Sequence, residues 1–287
     1  MPPVSGGRPS TLGEVLKAST GYLAGKGVPS PRVDAEHLLA KALGLARLDL
    51  YLQHDRPLTE AELASARELV RRRGTREPLA YVLGEWGFRR LTLTTDRRAL
   101  IPRPETEVVV ERCLALLADV EGPQVLDVGT GTGAIALSIA QEHPGAHVTA
   151  VDVSADALAL AGENVERTGL GEQVELVHRD ATEGLPGGPY DLVVSNPPYV
   201  EATEIEALAP EVRDWEPRTA TVADGQTEAV ACAAPAVLRP GGWLVLETHW
   251  DGAAAASELL ASLGFADVVG SPDLTGHQRV VEGRWAS

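Results

Sequence analysis

Cysteine is nearly absent from this sequence of 287 residues, because only Cys113 and Cys232 occur and they form no Cys-x-x-Cys pair. This scarcity excludes a disulfide framework and the usual zinc spacings, so we expect two buried, unpaired thiols. Long apolar runs are also missing: no stretch approaches the roughly 20 apolar residues of a membrane helix, and residues 1–10 lack the apolar core of a secretory signal. The sequence therefore predicts a cytoplasmic protein without a membrane partner.

Basic residues are scarce relative to acidic ones. The chain has 25 Lys and Arg against 41 Asp and Glu, a formal net charge of −16. An acidic surface repels phosphate, which argues against non-specific nucleic-acid binding. The charge is uneven, since residues 1–104 contain 17 basic and 11 acidic side chains and residues 105–287 contain 8 and 30. We hypothesise that the basic part, including a solvated helix end at Arg71, Arg72 and Arg73, steers an acidic protein partner.

The first part of the chain has the pattern of short helices. Capping boxes at Thr11–Glu14 and Thr59–Glu62, and the pair Ser30-Pro31, each precede apolar residues at helical spacing. A glycine follows each run and marks its end. These features predict a small N-terminal helical bundle over residues 1–83.

The hydrophobic period changes over residues 84–104. Phe88, Leu91 and Leu93 alternate with polar residues, as in a β-strand, and Pro102-Arg103-Pro104 then imposes an extended backbone. We predict a β-hairpin linker that ends in this rigid segment.

Strands and helices alternate over residues 105–287. The apolar runs predict strands at 124–128, 147–151, 174–178, 191–195, 242–247, 266–269 and 279–282. Predicted helices cover 105–117, 134–142, 155–168, 228–238 and 252–263. Repeated βα units indicate an α/β domain with a parallel sheet and helices on both faces. Ligands of such sheets bind outside the carboxyl ends of the strands, so the residues that end each strand are the first candidates for a site.

A glycine-rich loop, Gly129-Thr130-Gly131-Thr132-Gly133, follows the first of these strands and opens a helix. Its G-x-G-x-G spacing differs from the G-x-G-x-x-G of dinucleotide folds. Asp127, in the strand just before, places a carboxylate near the cationic amino end of S-adenosylmethionine, whereas a pyrophosphate would be repelled. The loop therefore favours S-adenosylmethionine, with an ordinary glycine-rich turn as the alternative.

Two more acids follow the next two strands. Asp152 ends the second strand, where a carboxylate can accept hydrogen bonds from two ribose hydroxyls. Asp180 follows the third strand and is placed to meet the amine of an adenine, although an aspartate there is also a common helix cap or turn residue.

The tetrapeptide Asn196-Pro197-Pro198-Tyr199 follows the fourth strand directly. The Asn196 carboxamide oxygen and the Pro197 carbonyl can each accept a hydrogen bond from a planar NH₂ group, and Tyr199 can stack on that group. Such a clamp would direct the nitrogen lone pair at an electrophilic methyl carbon, which is catalysis by positioning. We find no catalytic triad, no metal-ligand spacing among the seven histidines and no general base.

With these motifs the chain resembles class I methyltransferases, and in particular the release-factor glutamine methyltransferases, the HemK/PrmC family. The resemblance runs from about Thr11 to the C-terminus and is most distinctive in four segments: Arg76–Gly84 with Phe88, Leu100–Glu107, Trp215-Glu216-Pro217, and Gln278–Arg284. It implies a Rossmann-like, mostly parallel seven-stranded sheet with an antiparallel C-terminal strand, after a helical domain that docks substrate.

The resemblance also implies an activity and a site. The activity is transfer of a methyl group from S-adenosyl-L-methionine to the glutamine N5 in the Gly-Gly-Gln motif of bacterial peptide chain release factors, with S-adenosyl-L-homocysteine as product and the protein as a monomer. The implied cofactor contacts are Asp127, Gly129, Thr130, Gly131, Thr132, Gly133, Asp152, Asp180, Ala181 and Asn196. The implied substrate contacts are Asn196, Pro197, Pro198, Tyr199, Arg103 and Glu105.

This chain departs from the family pattern at two positions. Ala181 stands where an aromatic residue is common, which leaves one side of the cofactor without a stacking partner, and Ala80 replaces a common glutamine. Two other functions are weighed against the resemblance: methylation of an adenine N6 or guanine N2 in a nucleic acid, which uses the same clamp but needs a basic channel, and a non-catalytic, DNA-binding regulator, which leaves the tetrapeptide unexplained.

Overall fold

The computed structural model describes residues 10–273 and 275–286. The chain divides into two compact units. The first extends to Gly84 and also includes Ala209–Trp215, and the second consists of Glu85–Leu208 and the chain from Glu216 onward. Within the described ranges, no helix has the length and apolar character needed to cross a membrane.

Eleven α-helices and nine β-strands are formed by the described residues. The helices are α1 (Leu12–Gly25), α2 (Pro31–Leu43), α3 (Arg47–Leu52), α4 (Glu60–Gly74), α5 (Leu79–Leu83), α6 (Pro104–Leu116), α7 (Ala134–Glu142), α8 (Ala155–Thr168), α9 (Pro210–Arg213), α10 (Gln226–Ala233) and α11 (Ala253–Ser262). The strands are β1 (Glu85–Phe88), β2 (Leu91–Thr94), β3 (Gln124–Val128), β4 (His147–Asp152), β5 (Val174–His178), β6 (Tyr190–Ser195), β7 (Leu238–Glu247), β8 (Phe265–Pro272) and β9 (Gln278–Trp285).

The first unit is helical, and two of its helices begin at the predicted capping boxes. The Thr11 hydroxyl accepts a hydrogen bond from the Glu14 amide at 3.3 Å, and the Glu14 carboxylate accepts one from the Thr11 amide at 2.9 Å. The box at Thr59–Glu62 has the same two bonds. Ser30 makes no side-chain cap, so α2 begins at Pro31 through the fixed φ of proline alone.

A buried arginine holds the segment Ala209–Trp215 in the first unit. Arg73 is 4% exposed; its Nε donates to Asp34 Oδ2 at 2.7 Å, and its Nη2 lies 2.9 Å from Glu211 Oε1. Glu211 also accepts two hydrogen bonds from Arg76, of 2.7 and 2.6 Å. A buried charge without a partner strongly destabilises a fold. Because each of these charges is paired, the contacts keep Ala209–Trp215 attached to the rest of the first unit.

The prediction of a solvated end at Arg71, Arg72 and Arg73 is therefore wrong for Arg73. Arg72 is partly buried and donates to Glu77, whereas Arg71 is exposed and pairs with Glu68. The α-helical period explains the difference, because three consecutive residues point in three directions and one of them must face the core.

The second unit contains the predicted hairpin and a seven-stranded sheet. Strands β1 and β2 pair antiparallel, and the sheet has the order β5-β4-β3-β6-β7-β9-β8. All its strands run parallel except β9, which is antiparallel to both β7 and β8. The predicted fold, a mostly parallel sheet with an antiparallel strand near the C-terminus, is confirmed.

Helices cover both faces of this sheet and bury its central strands. One core cluster includes residues of α6 and α7, and the other includes residues of α10 and α11. Strand β3 lies between β4 and β6, with Val128 level with Val151 on one side and with Ser195 on the other. The chain continues from β3 to β4 and β5 on one side of the sheet, and then returns to β6 on the other side of β3. The loops after β3, β4 and β6 therefore enclose a crevice at the carboxyl edge of the sheet.

Some elements differ from the prediction. The short helices α3, α5 and α9 were not predicted. The helix predicted over 228–238 is α10, which ends at Ala233, and β7 begins at Leu238 instead of Gly242. Of the two cysteines, Cys113 is buried but Cys232 is exposed, so the expectation of two buried thiols is wrong for Cys232. Residue 232 lies near the end of α10, on the side of that helix that does not pack against the sheet.

Candidate active site

A cavity of about 680 Å³ lies at the carboxyl ends of β3, β4 and β6. This volume is typical of a small-molecule site. The structure brings most of the predicted site residues together there: Arg103, Gly129, Thr130, Gly131, Thr132, Asp152, Asp180, Ala181, Asn196, Pro197 and Pro198 line the cavity. Four others are not among its lining residues: Glu105, Asp127, Gly133 and Tyr199.

The glycine-rich loop needs its glycines for backbone conformation. Gly129, Gly131 and Gly133 have φ values of +76°, +57° and +81°, in the left-handed region that other residues rarely adopt. A Cβ built on Gly129 has no neighbouring atom within 4 Å, so the space beside this residue is open to a ligand. A Cβ on Gly133 would lie 3.1 Å from Leu137 Cδ1, which makes the role of Gly133 close packing at the start of α7.

Asp127 is fully buried beneath the loop. Its Oδ2 accepts hydrogen bonds from Thr130 Oγ1 at 2.7 Å and from the Ala136 amide at 3.2 Å. Burial raises the pKa of Asp127 to about 7, although these two donors act in the opposite direction. The carboxyl group thus joins the loop to the first turn of α7 from inside the protein.

Asp152 lines the cavity and is also tied to the loop. Its Oδ2 accepts a hydrogen bond from the Gly131 amide at 2.9 Å, and its Oδ1 accepts one from the Ser154 amide at 2.9 Å. Burial raises its pKa, against the effect of these backbone donors. A carboxylate has about four lone-pair sites, so both oxygens retain the capacity to accept from a ligand hydroxyl.

Asp180 caps the short 3₁₀ helix Ala181–Glu183. Its Oδ1 accepts hydrogen bonds from the Thr182 amide at 2.8 Å and from the Thr182 hydroxyl at 2.7 Å, and the hydroxyl in particular lowers its pKa. Asp180 is therefore a helix cap, which was one of the two roles that the sequence allowed, and it also lines the cavity. Ala181 lines the cavity beside it with only a methyl group.

Asn196 follows β6 and has a defined orientation. Its Nδ2 donates to Thr106 Oγ1 at 3.3 Å, and no donor among the described residues contacts its Oδ1. Ser195, the last residue of β6, donates through its hydroxyl to the Val128 carbonyl at 2.7 Å and so fixes the end of β6 to β3. The amide oxygen of Asn196 is consequently the group that remains for a partner outside the chain.

Tyr199 lies beyond the cavity lining and begins a row of rings. Its ring centroid is 5.9 Å from that of His249, which is 5.5 Å from Trp250, and Trp250 is 6.0 Å from His277. Burial raises the pKa of Tyr199 to about 12, and the nearby negative charge of Glu247 also raises it. The phenol is therefore neutral at physiological pH and can act as a donor.

Arg103 lines the cavity just before α6. Its Nη2 donates to both carboxyl oxygens of Glu216, each at 2.7 Å. Burial raises the pKa of Glu216, and the neighbouring arginine opposes that rise. The pair joins two of the segments that carry the family resemblance, Leu100–Glu107 and Trp215-Glu216-Pro217.

Two residues at this edge of the sheet were not predicted from the sequence. Thr106, in the first turn of α6, lines the cavity and contacts Asn196. Glu247 is the last residue of β7. An acid at or near the end of a buried strand is the signal that identified Asp127 and Asp152, and the sequence shows the same signal at Glu247. Over residues 10–273 and 275–286, no cluster of three His, Cys, Asp or Glu side chains is arranged to hold a metal ion.

Comparison with known proteins identifies a family for the whole chain. Residues 14–84 match the PrmC N-terminal domain, and residues 108–212 match the methyltransferase small domain. The release factor glutamine methyltransferase of Chlorobaculum tepidum is 46% identical over 267 residues, which cover 89% of this chain and 90% of that protein. The corresponding protein of Geobacter sulfurreducens is 43% identical, with 96% of each chain covered. The chain belongs to the release factor glutamine methyltransferase family.

The fold is shared more widely than the family. The catalytic domain of hMettl16, solved in complex with a MAT2A 3′UTR hairpin, superposes with a TM-score of 0.53 at 19% identity, over 68% of this chain and 74% of that domain. This likeness concerns the fold alone. The region that matches the methyltransferase small domain includes the loop after β3, Asp152 and Asn196. Thr106 and Glu247 lie outside both regions that match a family model.

Proposed function

We propose that this protein transfers a methyl group from S-adenosyl-L-methionine to the N5 amide nitrogen of the glutamine in the Gly-Gly-Gln motif of peptide chain release factors, in the cytoplasm. The names of its relatives support this substrate. The observation that carries the proposal is the orientation of Asn196, whose amide nitrogen is bound by Thr106 while its amide oxygen is left without a donor at the cavity.

The cavity residues fit S-adenosyl-L-methionine, which supplies an electrophilic methyl group when bound. The open space beside Gly129 admits a ligand close to the backbone, and Asp152 offers carboxylate oxygens to ribose hydroxyls. We place Thr130, Gly131, Thr132, Asp180 and Ala181 along the same ligand, with Asp127 and Gly133 acting through the conformation of the loop. Ala181 gives no aromatic surface, so the adenine would rest on apolar contacts alone at that side.

The tetrapeptide would hold the substrate amide. A primary amide has two N–H donors in one plane; Asn196 Oδ1 would accept from one, and the Pro197 carbonyl would accept from the other. Pro198 makes this turn rigid, because two prolines fix the φ of two successive residues. The amide lone pair is delocalised into its carbonyl, and these two hydrogen bonds would return electron density to nitrogen as the new N–C bond forms and the sulfur–methyl bond of the donor breaks. S-adenosyl-L-homocysteine would be the product, and the surplus proton would pass from the nitrogen to water. We predict that Tyr199 stacks on the planar group from outside the cavity lining.

The alternative substrate is an amino group of a nucleic acid, since adenine and guanine also present a planar NH₂. Residues 105–287 contain 8 basic and 30 acidic side chains, which disfavours a polyanionic substrate on this part of the chain. We therefore propose a protein partner and no stable nucleic-acid complex. That the protein is a monomer, and that Arg103 and Glu105 contact the substrate, stay predictions.

A labelled-methyl transfer assay tests the proposal. Purified protein is incubated with labelled S-adenosyl-L-methionine and, in separate reactions, with a release factor, with a release factor whose Gly-Gly-Gln glutamine is replaced by alanine, and with total bacterial RNA. We expect label in the first reaction only. Label in RNA, or equal label in both release factors, would contradict the proposal.

A further inference from the structure

Glu247 is a buried acid that the proposed reaction does not yet use. It is the last residue of β7 and is 1% exposed. In the described part of the chain, neither of its carboxyl oxygens has a hydrogen-bond partner. Strand register places Leu246 level with Ser195, so Glu247 stands beside Asn196 at the carboxyl edge of the sheet.

Side chains from three neighbouring elements influence this carboxyl group. Burial raises the pKa of Glu247 to about 7. The Thr106 hydroxyl and the positive charges of Arg279 and Arg103 oppose this rise, whereas Glu105 adds to it. Tyr199 is a further titratable neighbour, and it stays neutral over this pH range, since its pKa is raised to about 12.

Thr106 is the side chain that can connect Glu247 with the clamp, because it acts on Glu247 and contacts Asn196. It is 5% exposed and accepts a hydrogen bond from Asn196 Nδ2, so its single hydroxyl proton is available to another acceptor. Arg279 is already paired with Asp273 at 3.2 Å, and the Thr106 hydroxyl is the hydrogen-bonding group that acts on the buried acid.

We propose that Glu247 is a positioning residue that sets the orientation of the Asn196 carboxamide through Thr106, an inference that rests on the clamp role of Asn196 in the proposed function. An ionised carboxylate can only accept, so Thr106 must donate to it. The lone pairs of Thr106 Oγ1 then accept from Asn196 Nδ2, and Asn196 Oδ1 faces the substrate. The proposed chain of hydrogen bonds thus has one direction, from Asn196 to Thr106 and, once Thr106 donates to it, to Glu247.

Protonation of Glu247 would reverse the direction of these hydrogen bonds. A neutral carboxyl group can donate to Thr106, whose hydroxyl can then donate to an oxygen of Asn196. The Asn196 carboxamide would then turn by 180°, so that its N–H groups face the N–H groups of the substrate and can accept no hydrogen bond from them. Activity should therefore require the ionised form of Glu247, so turnover should fall as the pH decreases below about 7.

The test uses the full-length protein and a release factor as substrate. We expect Glu247→Gln to lower kcat at pH 8 by about tenfold or more while the Kd for S-adenosyl-L-methionine stays unchanged. Thr106→Val should do the same, Thr106→Ser should keep most of the activity, and the double variant Thr106→Val with Glu247→Gln should be no slower than Thr106→Val alone. Glu258→Gln, an exposed site on α11, is the matched control and should behave as the wild type.

The pH profile separates positioning from a structural role. The wild type should lose kcat below about pH 7, and this acidic limb should disappear in Glu247→Gln. Wild-type kcat with an unchanged limb in Glu247→Gln would overturn the inference, as would a fall in kcat matched by an equal loss of cofactor affinity. If the wild type methylates RNA instead, the proposed function fails and the same variants are compared on RNA; if it methylates neither substrate, both proposals fail.

Discussion

The backbone amide of Gly131 donates a hydrogen bond to Asp152 Oδ2 across 2.9 Å, so the loop after β3 and the acid at the end of β4 form one connected wall of the cavity. The same carboxylate also accepts from Ser154, at the start of α8. Asp152 thus holds the loop in place, in addition to its proposed role toward ribose hydroxyls.

This dual role leads to a prediction for cofactor binding. Replacement of Asp152 by alanine removes the acceptor for the ligand and the tie to Gly131 together, so affinity for S-adenosyl-L-methionine should fall by about 10- to 100-fold, as expected for lost hydrogen bonds to a charged group. Isothermal titration calorimetry measures the change. Asp156→Ala, on the exposed face of the first turn of α8, is the control and should bind normally. Equal affinity in Asp152→Ala would exclude Asp152 from the cofactor site.

The clamp assignment predicts a loss in turnover. Asn196→Ala removes the oxygen that we expect to hold the substrate N–H, and it should lower kcat by about 10²–10³-fold, or roughly 2.7–4 kcal/mol of transition-state stabilisation. Steady-state kinetics with a release factor measures this, and calorimetry should show an unchanged cofactor Kd. Near wild-type kcat at unchanged cofactor affinity would remove Asn196 from the mechanism.

The buried ion pairs of the first unit predict two very different outcomes for neighbouring arginines. Arg73→Ala leaves the carboxylates of Asp34 and Glu211 without this partner, and breaking a buried pair costs about 3–5 kcal/mol. Arg71→Ala removes only an exposed pair with Glu68, which solvent screens, and should leave the free energy of unfolding almost unchanged. Urea unfolding of the full chain measures both, and similar midpoints for the two variants would contradict the buried placement of Arg73.

Asp127 should make stability depend on pH. Its pKa is raised to about 7 in the folded protein, so the folded state keeps a proton that the unfolded chain releases from about pH 4 upward. The resulting stabilisation is complete below the unfolded pKa and is lost as the pH rises through the folded pKa. Asp127→Asn does not ionise, so its stability relative to wild type should increase by about 2–4 kcal/mol between pH 4 and pH 8. Parallel pH profiles in urea unfolding would contradict this assignment.

Most elements of the sheet and its helices could be predicted because the local sequence determines them. Strand β3 and helices α7 and α8 have the predicted boundaries, since apolar periodicity and a following turn or glycine coincide there. Helices α3 and α5 contain only six and five residues, too few to show a helical period. In β7, Pro240 and Gly241 have the composition of a turn, but β6 pairs with Leu238 before them and with Trp243 after them, which continues the strand.

The site was predictable where a polar residue with a suitable functional group stands at the end of a recognisable strand, as at Asp152 and Asn196. The relation between Thr106, Asn196 and Glu247 was not, because the three residues are separated by about 90 and 50 positions and meet only through strand register and the packing of α6. The burial of Arg73 was missed for a similar reason. Its partners, Asp34 and Glu211, come from α2 and from α9, and no local pattern links them.

Tandem mass spectrometry of a release factor after incubation with this protein and S-adenosyl-L-methionine tests the central claim most directly. The account predicts one added methyl group on the side-chain nitrogen of the Gly-Gly-Gln glutamine, and almost none when Asn196→Ala replaces the wild type under the same conditions. A methyl group on any other residue, or an unmodified glutamine after full incubation with the wild type, would contradict it.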